Sequence, residues 1–427
     1  MRLVQHWFRV PTFSSILVVL PLWLQPFFLQ NLSYQYDGAG MALSLACAIW
    51  AMTLDVERRK YWLAGAVMIA AGAALYQPSV SVAAGLCGIE VIRQVMAGKR
   101  LVPLIRFALV RLGQLMAGTL LFFLSCSWMV ASRERSSLLV LDGQWLGEMR
   151  RRLALTTKMV DLLLTPWISW LCLGLLAIVL IGLRRETLQL WRRPYPAGER
   201  LGLGAVLWLT IPLIVACIPG ILLFLADFDL TPCTAMGLGV VLAMAFFFVH
   251  GALATSPRLR MGVLILALLP MLTLSFAYGR VLVWQKTLHQ SITQSLAYDI
   301  SSQPAIAEAK RYYVLGFWQD RLWVPAASGS LSHMPVIELL DPSWYVLLPE
   351  MLLEEGVEGA QVRYQRPPLN REQVRDQAPT PLLTRKLYDI HRVGNDAYVL
   401  IKLPQGTGIA NEYSSAKLRA LRFGWSW

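Results

Sequence analysis

Long apolar runs constrain this chain more than any other feature of its sequence. Roughly nine of them have the ~20 residues that an α-helix needs to cross the hydrocarbon core of a bilayer. They cover residues 12–30, 38–54, 61–77, 78–97, 104–130, 162–183, 201–225, 233–254 and 261–283. Because a bilayer interior has no water to satisfy backbone N–H and C=O groups, such runs span it as helices. We therefore predict a mainly α, polytopic membrane protein, in keeping with a charged fraction of only 15%.

Basic residues are distributed unevenly over the connectors between these runs. They cluster in one alternate set of connectors, at 58–60, 93–106, 184–200 and 258–260. The connectors at 31–37, 76–79 and 226–232 contain no Lys or Arg. The positive-inside rule makes the basic set and the N-terminus cytoplasmic, and it places the chain after residue 284 on the outer side. This orientation accounts for the formal net charge of +13, so we predict no nucleic-acid partner.

One outer connector, residues 131–161, does not follow this rule. Its basic residues include the consecutive Arg150, Arg151 and Arg152, and its apolar residues recur at roughly helical spacing. Such a pattern is typical of an amphipathic helix at a membrane interface. A bound anionic headgroup or lipid phosphate would explain the positive charge, and generic attraction to anionic lipid would explain it equally well.

The turn between the first two runs concentrates polar groups on the outer side. It contains Asn31, Tyr34, Tyr36 and Asp37, which combine hydrogen-bonding groups, aromatic rings able to stack on sugars, and one carboxylate. In a simpler interpretation the tyrosines belong to an interfacial aromatic belt, and Asp37 caps the helix that starts at Gly38. Local physics alone slightly favours this simpler interpretation.

The composition changes near residue 304. Apolar residues recur at every fourth position from Trp284 to Ile300, which predicts that the last helix continues beyond the bilayer to Pro304. We predict a transmembrane domain over residues 1–304 and a small α/β domain over residues 305–427. In the second domain, 311–317 has the pattern of a strand, 343–356 that of a helix, and 384–403 that of a hairpin.

The sequence contains none of the common short motifs for nucleotide or metal chemistry. GxGxxG, GxxxxGK[ST], HExxH and CxxC are all absent, so no cofactor or metal site follows from these residues. No charged residue is expected in the middle of a span, which argues against a proton-coupled transporter or a flippase. The outward carboxylates that remain are Asp37, Asp227 and Asp229, and for the last two helix capping competes with sugar binding.

Outward carboxylates, basic side chains and aromatic turns suit the transfer of a sugar from a lipid phosphate at the membrane surface. A carboxylate would take the proton of the acceptor hydroxyl as general base. Cationic side chains would hold the leaving phosphate.

Four segments resemble the Gtr-type serotype-converting glucosyltransferases of bacteria. They are PFFLQNLSYQYDGAGMALSLACAI, GAALYQPSV, LTPCTAMGLGV and FAYGRVLVWQKTLHQSITQSLAYDI. The similarity extends from about residue 20 to at least residue 340. Proteins of this kind are polytopic, GT-C-like enzymes that glucosylate O-antigen outside the inner membrane. The resemblance therefore implies a bacterial inner-membrane protein with about nine transmembrane helices, a cytoplasmic N-terminus and a periplasmic C-terminal domain.

The same resemblance implies substrates and partners. The donor would be undecaprenyl-phosphate-glucose, and the acceptor would be the lipid-linked or growing O-antigen of lipopolysaccharide. A donor synthase and a small flippase would act beside the enzyme. We take Asp37 as the candidate general base. The candidate substrate contacts are Asn31, Tyr34, Tyr36, Tyr76, Gln77, Arg150, Arg151, Arg152, Asp227 and Asp229.

The sequence departs from the family at two points. Relatives carry a further span and an outer loop with paired acidic residues before the matching region, whereas no acidic residue precedes Asp37 here. Cys233 stands where the resemblance leads us to expect arginine. We expect either that the chain is truncated at its start or that its catalytic centre is lost or rebuilt. Two alternatives thus stay open: a catalytically impaired relative that binds lipid-linked sugars or acts as a scaffold, and a polyprenyl-lipid flippase.

Overall fold

The computed structural model describes most of the chain up to residue 402. It leaves out residues 9, 35–36, 127–138, 140–142, 227, 229, 316–323, 341–347, 362–366 and 403–427, and the side chains of Pro325 and Ser328. The described residues fall into two compact units, one containing Met1–Ser275 and the other starting at Phe276. The predicted domain division at residue 304 stays a prediction.

The first unit is built from helices. They are α1 (Arg2–Trp7), α2 (Phe13–Val19), α3 (Pro21–Leu24), α4 (Phe28–Ser33), α5 (Gly38–Thr53), α6 (Arg59–Leu75), α7 (Ser79–Met96), α8 (Leu101–Cys126), α9 (Trp145–Asp161), α10 (Pro166–Arg192), α11 (Ala197–Ala216) and α12 (Gly237–Ala252). The long helix α13 (Pro257–Ser302) begins in the same unit. Between α11 and α12, the described residues form the short 3-10 helices Gly220–Phe224 and Pro232–Thr234.

Five of the described helices are long and apolar enough to cross a membrane: α7, α8, α10, α11 and α13. Helices α5 and α12 are apolar but shorter. The first predicted run, 12–30, forms three short helices instead of one, because Pro21 and Pro26 cannot donate the backbone hydrogen bonds of a continuous helix. The protein is therefore a mostly helical membrane protein, and the number of nine spans stays a prediction.

Helix α7 lies at the centre of the first unit. Its Val82, Leu86 and Ile89 side chains are at most 1% exposed and share a core with α5 and α12. Helix α10 lies at the surface of the protein, since only 11% of its most apolar 18-residue stretch is buried. At the contact of α6 with α8, a β-carbon on Gly118 would lie 2.7 Å from the Ala66 carbonyl oxygen. Glycine therefore allows the two backbones to approach closely.

The second unit contains the C-terminal part of α13 and a four-stranded sheet. Its strands are β1 (Arg311–Leu315), β2 (Leu383–Thr384), β3 (Tyr388–Val393) and β4 (Asp396–Ile401). They lie in the order β1-β4-β3-β2, with β1 parallel to β4 and the other pairs antiparallel. The short helices described in this unit are α14 (Pro304–Ala307), α15 (Ser328–His333), α16 (Val336–Leu340), α17 (Leu348–Glu354) and α18 (Arg371–Gln377).

Several sequence predictions for this region are confirmed. Helix α13 continues unbroken to Ser302, and its 46 residues measure about 69 Å at 1.5 Å per residue, more than twice the thickness of a bilayer core. The predicted hairpin is formed by β3 and β4, which are joined at Gly394 in a left-handed conformation with φ +61°. The predicted strand at 311–317 is present as β1, and the described part of the predicted helix at 343–356 contains α17.

Candidate functional site

Three connectors that are distant in sequence meet at one end of the first unit. The backbone N–H of Cys233 donates to the side-chain oxygen of Gln30 at 2.7 Å. The Tyr76 hydroxyl faces both Asn31 and the Cys233 thiol. We call Gln30, Asn31, Tyr76 and Cys233 the Asn31 cluster. Its members come from the segments LQNLSYQYD, ALYQPSV and LTPCTAMG, and two of them, Asn31 and Tyr76, are predicted substrate contacts from separate motifs.

The break between α6 and α7 positions Tyr76. Helix α6 ends at Leu75, and α7 begins after Pro78, because a proline disfavours the helical conformation of the residue before it. Tyr76 follows α6 with extended backbone, and its N–H donates to the carbonyl of Gly72. Gln77, the next predicted contact, is half-buried in the same turn.

Asn31 carries a buried side-chain amide. Its residue is 0% exposed, and neither its amide nitrogen nor its amide oxygen is paired with any described residue. The buried hydroxyl oxygen of Tyr76 is also unpaired within the described part of the chain. An unsatisfied buried polar group costs about 1–3 kcal/mol, so proteins retain one where water or a ligand completes its hydrogen bonds.

The Asn31 cluster combines hydrogen-bond donors and acceptors. Burial, followed by the proximity of the Cys233 thiol, raises the pKa of Tyr76. The phenol therefore stays protonated at neutral pH and can both donate and accept a hydrogen bond. The Asn31 amide also offers donors and an acceptor. Such paired donors and acceptors match the hydroxyl groups of a sugar, and Tyr34, which is 40% exposed, lies near the same phenol.

Asp37 lies at the N-terminal cap position of α5. Its side chain is exposed and makes no capping hydrogen bond, whereas its backbone carbonyl accepts from the Met41 N–H at 2.9 Å. The next residue, Gly38, packs directly on α4, where an added β-carbon would lie 2.8 Å from the Asn31 carbonyl oxygen. The Asp37 backbone is therefore one residue away from a direct contact with Asn31. Its carboxylate does not perform the capping role that the sequence also suggested.

Helix α9 forms the second half of the predicted amphipathic connector. Its apolar residues lie on two sides: Leu155 and Met159 are buried, whereas Leu146 and Leu153 are exposed. Arg150 is exposed, and Arg151 pairs with Glu148 at 2.7 Å. This hydrogen bond from Arg151, together with one from Arg152, lowers the pKa of Glu148 to about 2 although partial burial opposes the shift.

Arg152 is placed differently from its two neighbours. Its residue is only 2% exposed, and its Nε donates to Glu148 at 2.7 Å. Its two terminal nitrogens donate to the carbonyls of Leu222, Leu223, Leu225 and Ala226. The guanidinium also lies 4.9 Å from the centroid of the Phe228 ring. These contacts engage the donors that a phosphate would need, so Arg152 attaches α9 to the 3-10 segment before α12.

Three of the predicted contacts, Tyr36, Asp227 and Asp229, lie outside the described residues. The segment that carries the two aspartates is described at Ala226, Phe228 and Leu230. Ala226 and Phe228 both contact Arg152. Among the described residues, no group of three or more His, Cys, Asp or Glu side chains could hold a metal ion.

Charged residues buried inside α7 and α8 were not expected from the sequence. Glu90 of α7 is 5% exposed and accepts from Arg93 at 2.6 Å, and Arg111 of α8 is 2% exposed. Arg111 donates to Gln114 at 2.8 Å and to three carbonyls at the end of α5. The prediction that spans lack charged residues away from their ends is therefore wrong. The sequence did contain one indication of these buried charges. Glu90 is three residues before Arg93, and Arg111 is three residues before Gln114, and buried charges in membrane helices are usually paired with such partners.

A comparison with protein families shows which family the chain belongs to. The family model described as Glucosyl transferase GtrII matches residues 9–287, which is most of the first unit and the start of the second. The chain belongs to the GtrII glucosyl transferase family. The matched part of this GtrII protein includes the Asn31 cluster, Asp37 and α9, whereas the C-terminal sheet lies beyond it. No curated protein and no solved structure gives a significant match.

Proposed function

We propose that this GtrII protein is a GT-C-like enzyme of the bacterial inner membrane that glucosylates O-antigen. The donor in this proposal is undecaprenyl-phosphate-glucose, and the acceptor is a hydroxyl group of lipid-linked or growing O-antigen of lipopolysaccharide. About nine spans would place the N-terminus in the cytoplasm and both the Asn31 cluster and the C-terminal domain in the periplasm. A donor synthase and a small flippase would supply the lipid-linked glucose at that side.

The observation that carries this proposal is the burial of Asn31 and the Tyr76 hydroxyl, both unpaired among the described residues, where three connectors meet. A sugar hydroxyl would form the missing hydrogen bonds of both side chains at once, since each of them can donate and accept a hydrogen bond. Tyr34 and Gln77 border the same place and would contact the sugar ring. Tyr36, Asp227 and Asp229 remain proposed contacts on the segments next to it.

The proposed reaction is a single displacement at the anomeric carbon of glucose. The acceptor oxygen forms a bond to C1 while the bond from C1 to the phosphate oxygen breaks. The proton of the acceptor hydroxyl passes to the carboxylate of Asp37, which is exposed and is not engaged in capping α5. The electron pair of the broken bond stays on the polyprenyl phosphate. We propose the exposed Arg150 as its cationic contact, because Arg152 is engaged within the protein and Arg151 is paired with Glu148.

The decisive experiment is glucosyl transfer by the purified full chain from labelled lipid donor to O-antigen acceptor. Asp37→Asn should abolish transfer while expression stays at the normal level, since an amide cannot accept the proton. Asp376→Asn is a matched control, because this carboxylate is exposed on α18. Equal transfer by Asp37→Asn and the unsubstituted chain would contradict the assignment. Donor binding without transfer in the unsubstituted chain would support the binding or scaffold role, and lipid movement without a new glycosidic bond would support a flippase.

A further inference from the structure

A second polar cavity lies at the opposite end of the first unit. It has a volume of about 230 Å³ and is formed by the α5–α6 connector, the end of α7 and the start of α8. His6 of α1 also lines it. Helix α5 leads from the Asn31 cluster to this cavity, and its 16 residues correspond to about 24 Å. The cavity is therefore separate from the candidate sugar site.

Gln94 lines this cavity and has a side-chain acceptor that is unpaired among the described residues. The residue is 9% exposed, and its side-chain nitrogen donates to Glu90 at 3.0 Å. Its side-chain oxygen has no partner within the described part of the chain. Because the nitrogen is held by Glu90, the amide cannot turn to satisfy the oxygen without losing that bond. A ligand that fills the cavity should therefore carry an N–H or O–H donor at this point.

The turn after α7 places a cation on the same cavity. Gly98 has φ +86°, and this left-handed residue lets the Lys99 N–H donate back to the Gln94 carbonyl at 3.0 Å. The Lys99 ammonium lies 5.1 Å from the centroid of the Phe107 ring. It lies 4.0 Å from the carboxylate of Glu57, whose side chain is 76% exposed. Donors on Lys99 thus remain available to an anionic group.

Charges of both signs surround the remaining space. The Asp55 and Glu57 carboxylates line it together with Glu90, whereas Arg111 is fixed by the carbonyls at the end of α5. Neither a simple anion nor a simple cation matches such a lining. A zwitterion matches this lining in one orientation. Its cationic N–H group then lies near Gln94 and the exposed carboxylates, while its anionic group lies near Lys99.

We propose that this cavity binds the phosphoethanolamine headgroup of a membrane phospholipid. Its primary ammonium would donate to the Gln94 oxygen, and its phosphate would lie against the Lys99 ammonium. The α5–α6 connector continues with Arg58, Arg59 and Lys60, and such basic residues next to a span attract a phospholipid surface. This inference does not depend on glucosyl transfer.

The experiment measures lipid retention by the full chain with native mass spectrometry from detergent. The probes are dioleoyl phosphatidylethanolamine, its N-methylated series up to phosphatidylcholine, phosphatidylglycerol and free phosphoethanolamine. Methylation removes N–H donors but keeps the charge, so phosphatidylcholine should bind about tenfold more weakly, as expected for one charge-assisted hydrogen bond. Phosphatidylglycerol, which lacks the ammonium, should also bind weakly.

Three substitutions link this binding to the cavity. Gln94→Met should remove the difference between the ethanolamine and choline lipids, and Lys99→Met should weaken the binding of both, with recovery in Lys99→Arg. Lys286→Met is the matched control, because Lys286 is an exposed lysine of α13 that does not line the cavity. Equal binding of the two lipids by the unsubstituted chain would overturn the proposal, as would an unchanged preference in Gln94→Met or an equal loss in Lys286→Met. Equally tight binding of free phosphoethanolamine would overturn the assignment to a lipid.

Discussion

At the scale of single residues, Gln30 and Asn31 are adjacent on α4 but have opposite hydrogen-bond states. Both are at most 1% exposed. The Gln30 oxygen accepts from the Cys233 N–H, whereas the Asn31 amide is unpaired within the described part of the chain. An unpaired buried amide lowers the stability of the free protein. We therefore infer that Asn31 is kept because its amide binds a ligand.

Asn31→Leu should therefore separate stability from activity. Leucine has the same branched arrangement of heavy atoms and removes the unsatisfied amide, so the melting temperature of the detergent-purified protein should rise. Glucosyl transfer should fall by about tenfold or more because the sugar loses a buried hydrogen bond. Gln30→Leu is the matched control and should lower the melting temperature, since it leaves the Cys233 N–H unpaired. A fall in melting temperature with both variants would indicate that Asn31 has a structural role.

At the scale of elements, α9 shows how three consecutive arginines acquire different roles. A helix turns by about 100° per residue, so Arg150, Arg151 and Arg152 point in different directions. Arg152 faces carbonyls within and directly after the 3-10 helix Gly220–Phe224, and Arg150 is exposed. The sequence predicted the helix, although its apolar residues lie on two sides. It did not reveal which arginine is buried, because that depends on acceptors 70 residues or more away.

Arg152→Met and Arg150→Met should have opposite effects. Removal of Arg152 leaves several buried carbonyls unpaired, so we expect a loss of about 3 kcal/mol in the free energy of unfolding and a detached α9. Removal of the exposed Arg150 should change stability by no more than about 0.5 kcal/mol. It should nevertheless raise the KM for the lipid donor. Thermal unfolding, proteolysis of α9 and donor titrations measure these quantities, and an equal loss of stability in both variants would argue against the assigned roles.

The attachment of α9 should also depend on pH. Arg151 and Arg152 hold the pKa of Glu148 at about 2, below its ordinary value of 4.5. A lowered pKa in the folded state stabilises α9 fully above about pH 4.5, and this contribution is lost as the pH falls from 4.5 towards 2. A solvatochromic dye attached to the new thiol of a Thr157→Cys variant should report the change. In Glu148→Gln the same transition should be absent, and its persistence there would assign it to another group.

At the scale of the whole molecule, apolar runs and turn residues predicted much of the architecture. The break at Tyr76–Pro78, the extension of α13 and the C-terminal hairpin were all predictable, because each depends on residues close in sequence. The division of the first run into α2, α3 and α4 was less evident, since its residues are apolar throughout except at the prolines and their neighbours. The convergence of Asn31, Tyr76 and Cys233 depends on long-range packing that a single sequence does not reveal.

The predicted orientation has a direct test. In a chain whose six cysteines are replaced by serine, new cysteines at the exposed positions Leu32 and Arg58 should lie on opposite sides of the membrane. A membrane-impermeant maleimide applied to intact spheroplasts should label Leu32→Cys, while Arg58→Cys should react after lysis only. This follows from the basic residues around Arg58 and their absence around Leu32. The reverse pattern would place the Asn31 cluster in the cytoplasm.

The contacts of Arg152 also have a consequence for the order of events during synthesis. The first carbonyl that it binds belongs to Leu222, 70 residues later in the chain. At roughly 5–20 residues per second, the ribosome takes about 4–14 s to produce that acceptor. During this interval the guanidinium has Glu148 as its partner, but not the carbonyls. Helix α9 can therefore reach its final position only after α11 has been translated.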